Sequence, residues 1–221
     1  MPAARATTVL CCLLALVALA VAGTSGAKEP KAPATPAKVV AYYNSGEWGK
    51  DTTAQVKRAK AFVKRWLQTH EKPRPRKPAI VLDIDDTSVS LYACAKALDF
   101  EGATSCAVKT DLPAIRQVRS LYDWARNQKV AVFFITGRPE PLRDLTVTGL
   151  RFAGYKGKLS LDLKPTSYKN DSVIPYKAGA RKRIQRKGYR ILANLGDQRS
   201  DLKGGYSLKA YKLPNPMYFT P

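Results

Sequence analysis

The feature that most constrains the fold is an alternation of apolar, strand-like runs with amphipathic, helix-like segments. The strand-like runs lie at 79–84, 130–135, 159–163, 190–195 and 206–211. The helix-like segments lie at 51–69, 112–127, 139–153 and 176–187, and Asp111 is placed to cap the second of them. This alternation is typical of a parallel sheet with right-handed crossovers and helices on both faces. The sequence therefore predicts an α/β fold with one central parallel sheet.

Three acidic residues end the first strand-like run, in the sequence Ile-Val-Leu-Asp-Ile-Asp-Asp-Thr. Because residues i and i+2 of a strand point to the same side, we expect Asp83 and Asp85 to project together and Asp86 to point away. Two carboxylates held close together are costly unless a cation or a shared proton relieves them. Ligands of parallel sheets bind beyond the carboxyl ends of the strands, where Thr136 and Asp197 also close runs. This edge is a candidate site for a divalent metal, for acid/base chemistry, or for both.

Composition limits the classes of partner. The chain of 221 residues, enough for one domain with a full core, carries a formal net charge of +21. This excess of cations favours anionic partners, namely phosphorylated metabolites, nucleic acid or acidic envelope polymers, the last bound weakly. Scattered charges more often form a solvated surface. The sequence contains neither a zinc-finger spacing nor a basic ribbon interleaved with aromatic residues, so specific nucleic-acid recognition is not predicted.

Residues 1–27 have the layout of a secretory signal peptide. Arg5 is their only charged residue, and the apolar run 9–22 is followed by a stretch of small residues. An uncleaved membrane anchor is the alternative, but the strongly apolar part is short for a span. The sequence thus predicts a secreted protein with no stable membrane insertion after cleavage. It also predicts a linker over 28–50, extended and rich in Pro, Ala and Lys over 28–38, and a folded domain over 51–221.

Cleavage of this segment leaves two cysteines, Cys94 and Cys106. Two cysteines in an exported chain most often form one disulfide, which would close a short loop and contribute about 3 kcal/mol. A catalytic thiol is the weaker alternative, because the only histidine, His70, is distant in sequence. We expect His70 at the surface of a basic helix, and we predict that 88–110 forms a small flap tied by the disulfide.

Four short sequence elements lie, one after another, at the ends of strand-like runs or the starts of helix-like segments. They are Asp-Ile-Asp-Asp-Thr at 83–87, Phe-Phe-Ile-Thr-Gly-Arg at 133–138, Lys177 after a tyrosine, and Gly-Asp-Gln-Arg-Ser-Asp at 196–201. Together they resemble the four motifs of the haloacid dehalogenase-like (HAD) superfamily. Within it, the closer resemblance is to the secreted acid phosphatases of the plant and class B-like group, subfamily IIIB. The resemblance covers about 79–218 and implies a three-layer, Rossmann-like HAD fold with a small cap.

The resemblance implies a Mg²⁺-dependent phosphatase that hydrolyses small phosphomonoesters at acid pH. By resemblance, Asp83 attacks the phosphorus and forms an aspartyl-phosphate, while Asp85 protonates the leaving oxygen and later accepts a proton from water. The expected Mg²⁺ ligands or their supports are Asp83, Asp85 through its backbone carbonyl, Asp197 and Asp201. The expected phosphate-binding residues are Thr136, Gly137 and Lys177.

Several of these positions have simpler interpretations. Lys164 and Lys169 are rivals for the role of Lys177, although the Tyr-Lys context favours Lys177. Arg138 is catalytic, substrate-binding or part of a structural ion pair, and the ion pair is favoured. Asp86 is interpreted as a bystander of the chemistry.

Other classes of site find no support. A calcium loop needs Gly and Glu at positions where this chain has Ser88 and Cys94. The sequence contains no Gly-x-Ser-x-Gly, Gly-x-Gly-x-x-Gly or Walker motif, so a Ser-His hydrolase and nucleotide-cofactor chemistry are not predicted. Two alternatives to a phosphatase remain open, namely a phosphotransferase on the same intermediate and a non-catalytic cationic storage or envelope-binding protein.

Overall fold

The chain forms a five-stranded parallel sheet flanked by helices in the computed structural model, which describes residues 33–70 and 73–220. The strands are β1 (Lys77–Leu82), β2 (Ala131–Pro139), β3 (Ser160–Lys164), β4 (Tyr189–Gly196) and β5 (Lys209–Lys212), in the order β3-β2-β1-β4-β5. The helices are α1 (Pro36–Asn44), α2 (Glu47–Thr69), α3 (Tyr92–Ala97), α4 (Arg116–Asn127), α5 (Arg143–Phe152), α6 (Ile174–Arg186) and α7 (Arg199–Leu202). The predicted α/β fold with a central parallel sheet is confirmed.

The central strand β1 is buried on both faces. Ile80 and Leu82 pack in the larger core together with α2 and α4, whereas Val81 packs in a second core with α6. A parallel strand covered on both faces is expected to be a continuous apolar run, as this one is. Because β1 and β4 are adjacent and parallel, their carboxyl ends bring Asp83 and Asp197 to the same edge of the sheet.

The prediction of a linker over 28–50 is wrong from Pro36 on, because this part of the segment is helical. α1 begins at Pro36, whose fixed φ suits the first turn of a helix, and α2 follows after a short turn. Val39 and Tyr43 of α1 pack in a small core with Met217. Tertiary contacts that composition does not reveal therefore order this segment. The predicted signal peptide lies outside the described residues, and in the part of the chain that the structure describes no helix is long and apolar enough to cross a membrane.

Asp111 does not cap α4, contrary to the prediction. The segment before this helix runs extended, and Ala114 forms an isolated antiparallel bridge with Val89. The Ser90 N–H donates to the Pro113 carbonyl at 2.9 Å and the Ile115 N–H donates to the Ser88 carbonyl at 3.0 Å. This backbone pairing holds 113–115 extended, and the helix begins only at Arg116.

The segment between β1 and α4 contains the predicted flap. A disulfide joins Cys94 of α3 to Cys106 in the 3-10 segment Ala103–Val108. The bridge therefore closes the flap on itself, and the buried Cys106 packs the flap against the larger core. His70, at the end of α2, is exposed and stacks on Trp66.

Candidate active site

A pocket of about 290 Å³ opens at the carboxyl edge of the sheet. We call its charged base the floor, which consists of Asp83, Asp85, Arg138, Lys177, Asp197 and Asp201. We call its apolar side the wall, which consists of Leu91, Ala107, Val108, Leu142, Val173 and Tyr218. The floor comes from the ends of strands and the starts of helices, whereas Ala107 and Val108 of the wall come from the flap.

Lys177 lies between two carboxylates of the floor. Its Nζ is 2.6 Å from Asp83 Oδ1 and also donates a hydrogen bond to Asp201 Oδ1. Pro175 in the first turn of α6 fixes where the helix starts, and this start places Lys177 at the strand edge. Of the two rival lysines, Lys164 lines the pocket and Lys169 is exposed, but the lysine in contact with Asp83 is Lys177.

The carboxylate of Asp197 accepts hydrogen bonds from three neutral side chains. Thr87 Oγ1 donates to Oδ1 at 2.9 Å, while Gln198 Nε2 and Asn215 Nδ2 donate to Oδ2 at 2.7 and 2.8 Å. Sequence reasoning assigned no role to any of the three. Thr87 and Gln198 stand inside recognised motifs, but only the folded chain brings Asn215 to them.

The close approach of Asp201 explains why position 196 is a glycine. A Cβ atom at position 196 would lie 2.4 Å from Asp201 Cβ, so only glycine leaves room for the second carboxylate. Asp201 Oδ2 accepts the backbone N–H of Gln198 at 2.8 Å and closes a capping box on α7. Buried Arg181 donates to the Asp201 carbonyl at 2.7 Å and to two carbonyls of the following loop. These bonds hold the Asp201 side chain against Lys177.

Asp85 is held by Arg138. The guanidinium donates through Nε to both carboxylate oxygens, at 3.2 and 3.0 Å, and through Nη2 to Oδ1 at 2.6 Å. Arg138 is itself buried and donates to Thr146 Oγ1 of α5 at 3.3 Å. The favoured interpretation of Arg138 as an ion-pair residue agrees with this geometry. Asp83 and Asp85 both line the pocket, so the structure brings the two expected catalytic residues together.

Asp86 is turned away from the floor. Its φ of +48° lies in the left-handed region, which aspartate tolerates better than most residues. Its carboxylate accepts the N–H of Leu91 at 2.9 Å and the hydroxyl of Tyr218 at 2.8 Å. Asp86 therefore shapes the loop after β1 and supports two residues of the wall.

The two expected phosphate-binding residues of β2 lie at different depths. Gly137 lines the pocket. Thr136 is fully buried, and its hydroxyl accepts the N–H of Arg138 at 3.2 Å. The structure thus brings Gly137 and Lys177 to the pocket, while Thr136 is buried and is not among the residues that line it.

The floor carries more negative charge than its own cations offset. Asp83, Asp197 and Asp201 each place a ligand oxygen within 4.8 Å of the others. Burial, reinforced by Asp201, raises the pKa of Asp197 to about 6. Burial and Asp201 also raise the pKa of Asp83 well above its ordinary value, although Lys177 opposes this shift. A compact set of carboxylate oxygens that Lys177 offsets only in part fits a divalent cation that prefers oxygen ligands, such as Mg²⁺.

Comparison with known proteins gives a family match over most of the chain. The family model described as HAD superfamily, subfamily IIIB (Acid phosphatase), matches residues 15–221. Acid phosphatase 1 from Solanum lycopersicum is 37% identical over 108 residues, which are 48% of this chain and 42% of that protein. The stem 28 kDa glycoprotein from Glycine max is 29% identical over 187 residues, which are 80% of this chain and 72% of that protein. The matches thus span less than half of the tomato protein and about three quarters of the soybean protein.

Two further similarities concern a storage protein and a solved structure. Vegetative storage protein 1 from Arabidopsis thaliana is 33% identical over 109 residues, which are 49% of this chain and 40% of that protein. The crystal structure of the class C acid phosphatase from Bacillus anthracis with tungstate bound superposes with a TM-score of 0.65. It shares 18% sequence identity over 84% of this chain and 86% of that one. At this identity the structural likeness supports the shared fold.

Proposed function

This chain belongs to the acid phosphatases of HAD subfamily IIIB, and we propose that it hydrolyses phosphomonoesters through an aspartyl-phosphate on Asp83, with Mg²⁺ as cofactor. The observation that carries the proposal is the floor of the pocket, where Lys177 Nζ lies 2.6 Å from Asp83 Oδ1. A phosphomonoester is dianionic and repels a carboxylate unless cations offset its charge. The floor supplies the nucleophile together with one such cation.

The reaction needs two proton transfers, and we assign both to Asp85. In the first step, an Asp83 oxygen bonds to phosphorus while the phosphorus–ester bond breaks, and the departing oxygen takes the proton of Asp85. In the second step, the Asp85 carboxylate takes a proton from water, whose oxygen displaces Asp83 and releases phosphate. The three hydrogen bonds from Arg138 keep the Asp85 carboxylate in one orientation for the second step.

The residues that would hold Mg²⁺ are the Asp83 and Asp197 carboxylates and the Asp85 carbonyl, with Asp201 supporting them. When bound, the cation would offset the charge of the floor and of the phosphoryl oxygens. Thr136, Gly137 and Lys177 are proposed to hold the phosphoryl oxygens, and of these Gly137 and Lys177 line the pocket.

The wall suggests the range of substrates. It is apolar, and the flap that contributes Val108 is short, with that side chain 53% exposed. A pocket covered this lightly should admit varied or bulky phosphomonoesters. Turnover of a single small ester, with others hardly hydrolysed, would contradict this proposal.

The remaining expectations are also proposals. We propose that residues 1–27 direct secretion and are removed, which amino-terminal sequencing of the exported protein would test. We also propose that the positive surface binds anionic envelope polymers weakly, without specific recognition of nucleic acid. A phosphotransferase would share the same intermediate, and acceptor alcohols that divert phosphate from water would reveal it.

The decisive experiment is hydrolysis of p-nitrophenyl phosphate by the purified protein. EDTA should abolish the activity and Mg²⁺ restore it, and Asp83→Asn should lower kcat at least about 1,000-fold, because it removes the nucleophile. The matched control is Asp123→Asn, the same chemical change in a half-exposed ion pair on α4. No activity in the wild-type protein between about pH 4 and pH 8 would favour the non-catalytic storage or envelope-binding alternative.

A further inference from the structure

Asn215 has a fixed orientation toward Asp197. Its Nδ2 lies 2.8 Å from Asp197 Oδ2, and its Oδ1 accepts the backbone N–H of Met217 at 2.8 Å. A backbone N–H can only donate, so the amide oxygen must face Met217 and the amino group must face the carboxylate. The Asn215 side chain is therefore a dedicated donor to Asp197.

The backbone around Asn215 is held from both sides. The residue lies between Pro214 and Pro216, whose rings restrict the local conformations of the chain. The Trp48 indole N–H donates to the Pro214 carbonyl at 3.1 Å, and the Ala34 N–H donates to the Pro216 carbonyl at 2.9 Å. Both donors lie in the segment for which composition predicts a linker. This segment thus fixes a residue in contact with the floor.

The two oxygens of Asp197 are used unequally. Oδ2 accepts hydrogen bonds from two amide groups, those of Gln198 and Asn215, whereas Oδ1 accepts one from Thr87 within the described residues. A carboxylate oxygen has about two acceptor directions, so Oδ1 retains one for a further partner. All three donors are neutral and leave the negative charge of Asp197 available to a cation.

We propose that Asn215 is a positioning residue that presents Oδ1 of Asp197 to the divalent cation, and that residues 34–48 anchor it there. The inference rests on the proposed Mg²⁺ site and adds to it the 213–220 segment, together with its two donors, Ala34 before α1 and Trp48 in α2. Hydrogen bonds that orient metal ligands commonly change metal affinity by about 10- to 100-fold when they are removed.

The test measures Mg²⁺ affinity without substrate. Isothermal titration calorimetry of metal-free Asn215→Ala should give a Kd for Mg²⁺ about 10- to 100-fold above the wild-type value. Trp48→Phe retains an aromatic ring but removes the donor to Pro214, and should raise the Kd in the same direction by less. The matched control is Asn127→Ala at the exposed end of α4, which should leave the Kd unchanged.

Thermal unfolding in EDTA shows whether each variant is folded before its Kd for Mg²⁺ is compared with that of the wild type. An unchanged Kd in Asn215→Ala, whatever its melting temperature, would overturn the inference. If Asn215→Ala does not fold, Trp48→Phe decides, because an unchanged Kd there would also overturn it. Absence of Mg²⁺ binding by the wild-type protein would overturn the inference and the proposed cofactor together. If the wild-type protein binds Mg²⁺ and Asn215→Ala binds it with the same Kd, the role of Asn215 is overturned while the proposed cofactor stands.

Discussion

The floor and the wall of the pocket are built differently. In the floor, Asp83 and Lys177 are 6% and 4% exposed and joined by a hydrogen bond, whereas Val108 of the wall is 53% exposed. Charges interact strongly in a buried site, because little water screens them, while contact of a substrate with a half-exposed apolar side chain contributes only about 1 kcal/mol. The floor should therefore set the rate of the reaction and the wall should set the preference among esters.

The largest effect is expected from Lys177→Met, which keeps the length of the side chain and removes its charge. We predict a loss in kcat of about 1,000-fold, because the attacking carboxylate and the phosphate lose their cation. The free energy of unfolding in EDTA at neutral pH should also fall, by about 3 kcal/mol, because buried carboxylates lose their partner.

The matched control for this variant is Lys169→Met, since Lys169 is exposed and sequence reasoning left it as a rival. Steady-state kinetics and urea unfolding measure the two effects. Near-normal kcat in Lys177→Met, or a loss confined to Lys169→Met, would show that the floor does not work as described.

The second prediction concerns the pH dependence of stability without metal. The folded protein raises the pKa of Asp197 from 3.8 to about 6, so near pH 5 the folded state binds more protons at this residue than the unfolded state. This contribution to stability is fully present below pH 3.8 and is lost as the pH rises through about 6. The change in the free energy of unfolding that Asp197 causes over this pH range totals about 3 kcal/mol.

Thermal unfolding in EDTA of the wild-type protein and of Asp197→Asn measures this contribution as a difference. The stability of the wild type relative to the variant should fall as the pH rises from about 4 to 7, and Mg²⁺ should restore most of the loss at pH 7. Parallel curves for the two proteins would contradict the electrostatic description of the floor.

Local sequence patterns predict the residues of the floor better than the distant residues that hold them in place. The strand ending at Leu82 and the glycine before Asp197 are signals within a few residues, and they place both carboxylates at one edge of the sheet. Resemblance adds Lys177. By contrast, Trp48 contacts Pro214 across 166 residues, and no periodicity or motif encodes such a pair. The start of α4 is likewise not encoded locally, because the bridge that delays it joins Ala114 to Val89 in the loop after β1.

A smaller effect on activity is expected from opening the disulfide. The double variant Cys94→Ser/Cys106→Ser should lose about 2–3 kcal/mol of stability, since the unfolded chain regains the freedom of the loop. The KM for p-nitrophenyl phosphate should rise a few-fold, because the bridge holds the segment that carries Ala107 and Val108, while kcat should change little. Urea unfolding and steady-state kinetics test both parts. A large loss of kcat would mean that the flap also supports the floor.

The smallest effect is expected from Val108→Ser in the wall. If an aryl leaving group covers about 40 Å² of this side chain, the lost contact amounts to about 1 kcal/mol and raises KM about five-fold. The KM for glycerol phosphate, whose leaving group is polar, should not change. Leu98→Ser is the control, since Leu98 is 45% exposed and is not among the residues that line the pocket. Equal effects on both esters, or a fall in kcat, would mean that the wall takes part in the chemistry. The wall would then affect the rate of cleavage as well as the preference among esters, and the division of roles between floor and wall would fail.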